Sequence, residues 1–418
     1  MSTPRHSRAR QRRIYRRRRF IAALLLAGVV AAAAFGVYAG MLLNGPIPAT
    51  AATLTPITVP QPVEAQLVWP SNGSGAIAEV GRPGLLGIHG ETESVPIASI
   101  TKVITALVVL DEKPLAADEA GPTLTFTDAD VDIYYDAIAE NGSVAPVADG
   151  LELTERQTLE AMLIESANNY SVSLVNWAFG SMDAYLKAAA TWLEKHGLNS
   201  TSVADSSGIS PDSISSTADL VKLGELALAN PTVAAITATS ETDLPYIGTI
   251  ENTNKLIGTD GVTGLKTGTT DEAGACLLFS AEFTISGTVI TVVGVMLGGD
   301  THPQLNDDIL ALLDSTKAGY HEVTLATAGE RVGEFTTAWG QTSTLVASSG
   351  ASVLVYSAEN VTQSITVDPI QTVQAGQTVG ELAFTVGDQS FTVPVEATEE
   401  ITGPDDAWRW ANREAILG

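Results

Sequence analysis

The first strong pattern in the chain is a run of uncharged, mainly apolar residues from Phe20 to Leu43. Its 24 residues exceed the roughly 20 that a helix needs to cross a bilayer. Nine arginines lie within residues 1–19, and positive flanks stay on the cytoplasmic side. The pattern therefore predicts a cytoplasmic basic tail at 1–19, a single transmembrane anchor at 20–43, and an extracytoplasmic remainder.

Residues 44–65 are rich in proline, threonine and alanine, which is typical of an extended linker. The apolar run before them is longer than the 7 to 15 residues typical of a signal peptide, which favours an uncleaved anchor. Ala49-Thr50-Ala51 nevertheless has the small-residue form of a cleavage site, so a secreted product stays open as the alternative.

Residues 66–320 alternate between strand-like and helix-like patterns. Thr154 and Gln157 form a capping box, and Ser99 stands where a helix N-cap is expected. Ser286-Gly287 indicates a hairpin turn. The patterns predict strands at 66–69, 76–79, 85–88, 275–285 and 288–297, and helices at 101–109, 182–196, 218–228 and 307–319. The fold class is thus α+β, an antiparallel sheet packed with a helical cluster.

Residues 322–401 are rich in valine and threonine, with glycines at intervals and alternating apolar and polar positions. Such a segment predicts a small all-β domain of the sandwich or barrel type. The tail at 402–418 has no clear pattern. Its Trp408 and Trp410 are expected to pack on the β domain, with contact to the membrane interface as the alternative.

The charge is divided unevenly between the two sides of the predicted membrane. The whole chain has 22 Lys and Arg against 48 Asp and Glu, and the residues after Arg19 hold only 13 of the cations. A body this acidic is a poor ligand for nucleic acid, which is bound through cationic side chains. One cysteine excludes an intramolecular disulfide, and Cys276 itself reads as a buried, inert thiol. No pattern calls for a metal or another cofactor.

The candidate chemistry lies in three short motifs, which stand out because the chain has only eight lysines. Ser99-Ile100-Thr101-Lys102 is a Ser-x-x-Lys, and Ser166-Ala167-Asn168 is a Ser-x-Asn. Lys266-Thr267-Gly268 is a Lys-Thr-Gly, which composition alone gives about 0.1 times in such a chain. These are the motifs of penicillin-binding proteins and class A β-lactamases, in the same order.

Each motif residue has a physical reason for its type. Lys102 lies one turn after Ser99, so its amine can reach the serine hydroxyl and, when neutral, take its proton. Burial and a second cation, Lys266, lower the pKa of such an amine. Ser166 is a candidate proton relay to the leaving amine, and the Asn168 amide a candidate partner of the substrate carbonyl.

The third motif is a candidate binding strand. Lys266, with the hydroxyls of Thr267 and Thr269, is suited to a substrate carboxylate. Gly268 lets a backbone approach closely, as on an edge strand against which a peptide lies. The backbone amides of Ser99 and Thr269 are the candidate oxyanion hole.

The sequence around the motifs resembles the D-alanyl-D-alanine carboxypeptidases, the low-molecular-mass penicillin-binding proteins. The resemblance rests on residues 96–102, 205–209, 252–256 and 261–268, and it covers about residues 66–320. It implies a β-lactamase/transpeptidase-like fold and a serine acyl-enzyme that removes the terminal D-alanine of peptidoglycan stem peptides. It also implies β-lactam antibiotics as inhibitors.

Two features depart from the family. Asn169-Tyr170 stands where Asp-Ala usually follows the second motif, and no amphipathic membrane helix is evident at the C-terminus. Three alternatives stay open: a β-lactamase of the same fold, a transpeptidase, and a non-catalytic wall-binding protein. The sequence leaves the oligomeric state open, and it assigns no role to His89, His196, His302 or His321.

Overall fold

The computed structural model describes residues 6–417, so residues 1–5 of the predicted basic tail and Gly418 lie outside the described residues. The chain forms two compact units. The central unit is Glu64–Tyr320, and the flanking unit joins the residues up to Val63 with those from His321 onward. The confirmed fold class is mixed α and β, as the sequence predicted.

The chain begins with a long helix, α1 (His6–Asn44), followed by a short strand, β1 (Ala52–Leu54). Gln11–Asn44 is long and apolar enough to cross a membrane, and its apolar window is not buried by other parts of the protein. The basic residues from His6 onward belong to the same helix.

The central unit contains eleven strands, of which five form its main sheet. The strands are β2 (Ser74–Glu79), β3 (Gly87–His89), β4 (Val95–Pro96), β5 (Thr123–Thr125), β6 (Glu152–Thr154), β7 (Ile214–Ser215), β8 (Glu241–Leu244), β9 (Gly248–Glu251), β10 (Val262–Thr270), β11 (Gly274–Ile285) and β12 (Thr288–Gly299).

Its helices surround and penetrate the core. They are α2 (Thr101–Glu112), α3 (Asp128–Ala139), α4 (Glu155–Leu163), α5 (Asn168–Phe179), α6 (Met182–Lys195), α7 (Thr217–Ala229), α8 (Pro231–Thr237) and α9 (His302–Ala318), with a 3-10 turn at Ala98–Ile100. Residues 101–110 of α2 are buried on every face, which makes it the central helix of the unit.

The main sheet is antiparallel in the order β10-β11-β12-β2-β3, so β10 is an edge strand. The predicted hairpin between β11 and β12 is confirmed. Ser286 and Gly287 both have positive φ, the requirement of a two-residue type I′ turn. The free edge of β10 leaves its outer backbone groups without a neighbouring strand of this sheet.

Two local predictions in the central unit are wrong. Residues 66–69 form no strand, because Trp69 instead stacks on His89 at 5.5 Å and covers Gly75. The last helix begins at His302, five residues earlier than predicted, because the Thr301 side chain caps it and Pro303 suits its first turn. The predicted capping box of Thr154 and Gln157 is confirmed.

The flanking unit is built from strands, and its helices lie at the two ends of the chain. After β1 its strands are β13 (Tyr320–Ala326), β14 (Arg331–Thr336), β15 (Thr342–Ala347), β16 (Ala351–Tyr356), β17 (Val361–Val367), β18 (Thr378–Val386) and β19 (Gln389–Ala397). The six-stranded sheet has the order β1-β14-β15-β19-β18-β17, and β13 pairs with β16. Alternating side chains, among them Phe335 and Phe384, fill its apolar core.

Part of the predicted extended linker at 44–65 is a paired strand of the β domain. β1 pairs antiparallel with β14, with Thr53 opposite Glu334, and it forms the edge of the six-stranded sheet. Thr50 exchanges backbone hydrogen bonds with Ile370. Backbone pairing therefore ties the segment after the anchor into the β domain.

The C-terminal tail folds into two short helices, α10 (Asp406–Ala411) and α11 (Arg413–Leu417), beside the end of α1. The Arg409 guanidinium donates hydrogen bonds to the carbonyls of Leu42 and Gly45, at 3.3 and 3.0 Å. Trp410 stacks on Phe35, with ring centroids 6.0 Å apart. We call α10 and α11 the collar.

Candidate active site

Ser99 lies in the 3-10 turn that leads into α2, on a half-buried position. The prediction that its side chain caps the helix is wrong, because the N-cap residue of α2 is Ile100 and no side chain caps that end of the helix. Its neighbour Ala98 has a φ of +46°, a left-handed conformation that non-glycine residues rarely adopt. This strain is held in place by the surrounding packing and is typical of functional sites.

Lys102 is fully buried, and its amine is surrounded by hydrogen-bonding oxygens. Its Nζ lies 2.8 Å from Ser99 Oγ, 2.7 Å from Asn168 Oδ1 and 2.9 Å from the carbonyl of Ser207. Three such contacts match the three donors of an ammonium group. When the amine is neutral, the contact with Ser99 reverses and the serine hydroxyl donates to the nitrogen.

The electrostatic setting favours that neutral form. Burial lowers the pKa of Lys102 well below its ordinary value, the nearby Lys266 lowers it further, and Asp205 partly opposes the shift. Burial likewise lowers the pKa of Lys266 to about 7, with Glu165 opposing. Two buried amines in one site are not both positively charged at low cost. The pair therefore favours a state in which Lys102 is neutral and can act as a base while Lys266 is protonated.

The third motif lies on the edge strand β10, directly against the turn that holds Ser99. A Cβ added at Gly268 would lie 2.9 Å from the Ile97 carbonyl oxygen and 3.1 Å from the Ser99 nitrogen. A larger residue would therefore push the strand away from the serine. This close approach gives a physical reason for the glycine of the Lys-Thr-Gly.

The hydroxyls near Lys266 form a short polar chain. Thr267 Oγ1 lies 2.5 Å from Thr253 Oγ1, and Lys266 Nζ donates to Thr253 Oγ1 at 3.4 Å. Thr269 is exposed, and its Oγ1 lies 2.6 Å from Nε2 of His302. The sequence did not identify Thr253 or His302 as part of the site.

The second motif lies at the start of α5. Asn168 binds Lys102 through its side-chain oxygen, and its Nδ2 faces Gly142, where an added Cβ would lie 2.4 Å away. Ser166 is buried and has a φ of +65°. It is not among the described hydrogen-bond partners of Lys102, so the direct contact between them that a relay needs is not formed in this structure.

The two residues that differ from the family support the loop beside the second motif. Asn169 makes two hydrogen bonds with the backbone of Ala145, at 3.1 and 3.0 Å. The Tyr170 hydroxyl donates to the carbonyl of Pro146 at 2.6 Å. Asn169 and Tyr170 thus hold residues 145–146 against the start of α5.

A loop that the sequence connected only with the family supplies the remaining contact of Lys102. The Asp205 carboxylate accepts hydrogen bonds from the backbone nitrogens of Ser207, Gly208 and Ser210, at 2.6 to 2.9 Å. This turn aims the Ser207 carbonyl at the amine. Gly208, with φ of +79°, lies where a Cβ would overlap the Ala98 carbonyl.

The sequence profile of the D-alanyl-D-alanine carboxypeptidase family matches residues 85–300, just over half of the chain. The chain belongs to this family. It is accordingly a hydrolase of the serine peptidase class, and the matched residues lie within the central unit and contain all three motifs.

Relatives of this family member carry two kinds of name. A D-alanyl-D-alanine endopeptidase of Pseudomonas aeruginosa is 28% identical over 239 residues, 56% of this chain and 74% of that protein. An endopeptidase of the same name from Haemophilus influenzae is 30% identical, over 50% of this chain and 70% of its own length. The carboxypeptidase DacF of Bacillus subtilis is 28% identical, and the match spans 53% of this chain and 56% of DacF.

Solved structures agree on the fold. Penicillin binding protein 5 of Haemophilus influenzae has a TM-score of 0.56 at 18% identity and covers 84% of this chain and 100% of its own. The carboxypeptidase DacD of Francisella tularensis gives 0.54 at 20% identity, over 84% of this chain and 97% of its own. The penicillin-binding fold is thereby established for the chain.

Proposed function

We propose that this protein is a serine D-Ala-D-Ala carboxypeptidase that removes the terminal D-alanine from peptidoglycan stem peptides. The observation that carries the proposal is the buried Lys102 amine, 2.8 Å from Ser99 Oγ, with its pKa lowered by burial and by Lys266. A base held at that distance activates a serine nucleophile.

In the first half-reaction, neutral Lys102 takes the hydroxyl proton while Ser99 Oγ attacks the carbonyl carbon of the penultimate D-alanine. The backbone N–H groups of Ser99 and Thr269 stabilise the oxyanion. When the intermediate collapses, the C–N bond breaks and the proton passes to the leaving amine of the terminal D-alanine. Ser166 is proposed to relay that proton after a side-chain movement.

In the second half-reaction, a water molecule attacks the ester on Ser99, and Lys102 takes a proton from the water. The ester bond breaks, the proton returns to Ser99 Oγ, and the shortened peptide leaves with a free carboxylate. The chemistry needs no group beyond the described side chains and backbone amides, and one amine serves as base twice.

The substrate's terminal carboxylate is proposed to lie at the third motif. Lys266 is buried, and in its protonated form it supplies a positive charge behind the surface, while the hydroxyls of Thr267 and Thr269 make the contacts. Gly268 and the free edge of β10 leave room for the peptide backbone. The Asn168 Nδ2 is proposed to bind the substrate carbonyl.

The test is mass spectrometry of a stem pentapeptide ending in D-Ala-D-Ala, incubated with the full chain. We expect loss of one D-alanine with the wild type and none with Ser99→Ala. A fluorescent penicillin should label the wild type at Ser99 and leave the variant unlabelled, since β-lactams are proposed to acylate the same oxygen. Equal labelling of both proteins would reject the assignment of the nucleophile.

Endopeptidase activity is the second candidate, because the Pseudomonas and Haemophilus relatives are named D-alanyl-D-alanine endopeptidases. Such an enzyme cleaves an internal peptide bond, so no terminal D-alanine is released. A cross-linked muropeptide dimer offered beside the pentapeptide separates the two activities. Cleavage of the dimer alone would favour the endopeptidase.

We also propose that α1 is an uncleaved single-pass anchor and that both folded units lie outside the cytoplasmic membrane. The support is its apolar span and the arginines before it. In addition, Thr50 of the candidate cleavage site is hydrogen-bonded to Ile370 in the β domain. An intact N-terminus in protein purified from membranes is expected, and a mature N-terminus near Ala51 would contradict the proposal.

A further inference from the structure

His302 is a residue for which the sequence gave no role, and the structure places it at the substrate-binding strand. It is the first residue of α9, half-buried, and its Nε2 lies 2.6 Å from the Thr269 hydroxyl oxygen. Burial and the nearby Lys266 both lower its pKa. The ring is therefore neutral near pH 7, and one of its two nitrogens carries the single proton.

The position of that proton decides what the Thr269 hydroxyl can do. A hydroxyl has one proton to donate. If Nε2 is bare, Thr269 donates to His302 and offers only lone pairs to a ligand. If Nε2 carries the proton, His302 donates to Thr269, and the hydroxyl proton is free for a ligand oxygen.

We infer that His302 is a positioning residue that turns the Thr269 hydroxyl proton towards the terminal carboxylate of the substrate. The inference rests on the proposed carboxypeptidase function. A carboxylate can only accept hydrogen bonds, so the Thr269 hydroxyl has to donate its single proton to it. The Thr269 oxygen then accepts a hydrogen bond from the protonated Nε2 of His302. His302 in this way makes Thr269 a donor and contributes to the preference for a peptide with a free C-terminus.

The role predicts a particular split in the kinetics. Loss of the donor weakens binding of the terminal carboxylate and leaves the Ser99–Lys102 pair intact, so KM rises while kcat changes little. A charge-assisted hydrogen bond typically corresponds to about a tenfold effect or more. For a substrate whose terminal carboxylate is replaced by a carboxamide, substitution of His302 should leave KM nearly unchanged.

The experiment compares His302→Phe and His302→Gln on a pentapeptide and on its C-terminal carboxamide. We expect His302→Phe to raise KM for the carboxylate substrate about tenfold and to leave the amide nearly unchanged. The Gln side chain carries an N–H donor, so His302→Gln should recover most of the loss. His196→Gln, remote from the site, is the control, and unfolding temperatures of all variants verify the fold.

Three outcomes decide the inference. An equal loss on both substrates would mean that His302 merely supports the fold, and an unchanged KM would overturn the role outright. If the wild type releases neither D-alanine from the pentapeptide nor D-alaninamide from its carboxamide, the proposed function fails instead. In that case the acylation rates with benzylpenicillin and its methyl ester test His302, since only the free acid carries the carboxylate. Equal effects of His302→Phe on the two rates would then overturn the inference.

A separate observation concerns the collar and the depth of the membrane. The apolar run of 24 residues is about 36 Å long as a helix, whereas the hydrocarbon core is about 30 Å thick. The last turn of the run therefore projects beyond the hydrocarbon. There the collar covers it, with Leu42 fully buried in a cluster with Ile47 and Ile416.

We propose that the collar lies at the outer edge of the membrane, with Trp410 at the boundary between hydrocarbon and headgroups, and fixes the β domain to the membrane surface; this rests on the membrane anchoring proposed above. Trp410 reaches back to Phe35, two turns before the end of the run, and keeps 37% of its surface exposed. Tryptophan beside a span typically lies at the headgroup level. Arg409 meanwhile satisfies carbonyls at the end of α1, as a cation does at a helix C-terminus.

The collar is tested with the full chain in nanodiscs that contain lipids brominated near the headgroup. We expect the bromines to quench tryptophan fluorescence, and Trp410→Phe, made in a Trp408→Phe background, to remove most of the quenching. Trp177→Phe, in the central unit, should remove little. Unchanged quenching in Trp410→Phe would overturn the proposal, and failure of the wild type to enter nanodiscs would reject the anchor itself.

A pair of cysteines tests the contact independently of lipid. Phe35→Cys combined with Trp410→Cys should be joined by a flexible bifunctional thiol reagent, because the two aromatic side chains contact each other, and the native Cys276 is buried and does not compete. The single variants serve as controls. Absence of the cross-link in the membrane-bound protein would show that the collar does not hold α1.

Discussion

The central and flanking units differ in what they bury. Lys102, Lys266 and Glu155 of the central unit are each at most 1% exposed. Over the part of the flanking unit that the structure describes, no Asp, Glu, Lys, Arg or His is buried, and its interior is formed by side chains such as Phe335 and Phe384. One unit keeps charge-bearing groups away from water, and the other is stabilised by apolar packing.

The difference has an energetic meaning. Removing an ionisable group from water costs several kcal/mol unless it is paired or becomes neutral. The two lysines meet this cost by a lowered pKa, which is what a serine-activating base requires. The apolar interior of the flanking unit carries no such cost and offers no such chemistry. We therefore assign catalysis to the central unit, whereas the attachment proposed for the flanking unit rests on α1.

The largest expected effect comes from the nucleophile. Ser99→Ala removes the attacking oxygen, so kcat for release of D-alanine should fall by about 10⁶-fold, the loss typical of a serine nucleophile. The measurement is single-turnover D-alanine release with the variant in excess. Residual turnover above one-hundredth of the wild-type rate would contradict the mechanism.

The base is next. Lys102→Met keeps the length of the side chain and removes the amine, and the acylation rate should fall by about 10² to 10⁴-fold, the usual contribution of a general base. Stopped-flow acylation by a fluorescent penicillin measures it. Lys222→Met, an exposed lysine, is the matched control and should lie within about twofold of the wild type. A comparable loss in both variants would remove the special role of Lys102.

A substitution in the core of the flanking unit should lower stability and leave activity unchanged. Phe384→Ala opens a cavity in its core and should lower the free energy of unfolding of that unit by about 3 to 5 kcal/mol. Activity per folded molecule should stay unchanged. Denaturant unfolding followed by hydrogen exchange measures the stability, with the exposed Thr385→Ala as control. Loss of activity in the folded fraction would contradict the division of roles.

Locally encoded features were predictable from the sequence. The capping box at Thr154 and the hairpin at Ser286-Gly287 depend on neighbouring residues and were confirmed. The strand β1 was not predictable, because it pairs with a strand some 280 residues away, and a proline-rich segment carries no signal for that partner.

The residues of the site likewise fall into those that the sequence predicted and those that it missed. The motifs identified residues that the structure brings together around Ser99, and the spacing explains the contact with Lys102. The Ser207 carbonyl was missed because a backbone group has no residue signature. His302 was missed because it meets Thr269 from 33 residues away, on a helix whose start the sequence placed too late.

The smallest expected effect is a dependence on pH that differs between the units. Burial lowers the pKa of Lys266 from an ordinary 10.5 to about 7. Between these values the unfolded chain binds more protons than the folded one, so the free energy of unfolding of the central unit should rise with pH. The flanking unit, lacking a buried charge in its described part, should change little. Hydrogen exchange between pH 7 and 9, corrected for intrinsic rates, resolves both units.

Activity should change with pH in the other direction. Carboxylate binding needs protonated Lys266, so kcat/KM for the pentapeptide should fall as pH rises above about 7. Lys266→Met should flatten the fall of kcat/KM with pH. It should also lower the pH slope of central-unit stability by about one bound proton. A variant that keeps both the full stability slope and the alkaline loss of activity would show that Lys266 is not the group that titrates.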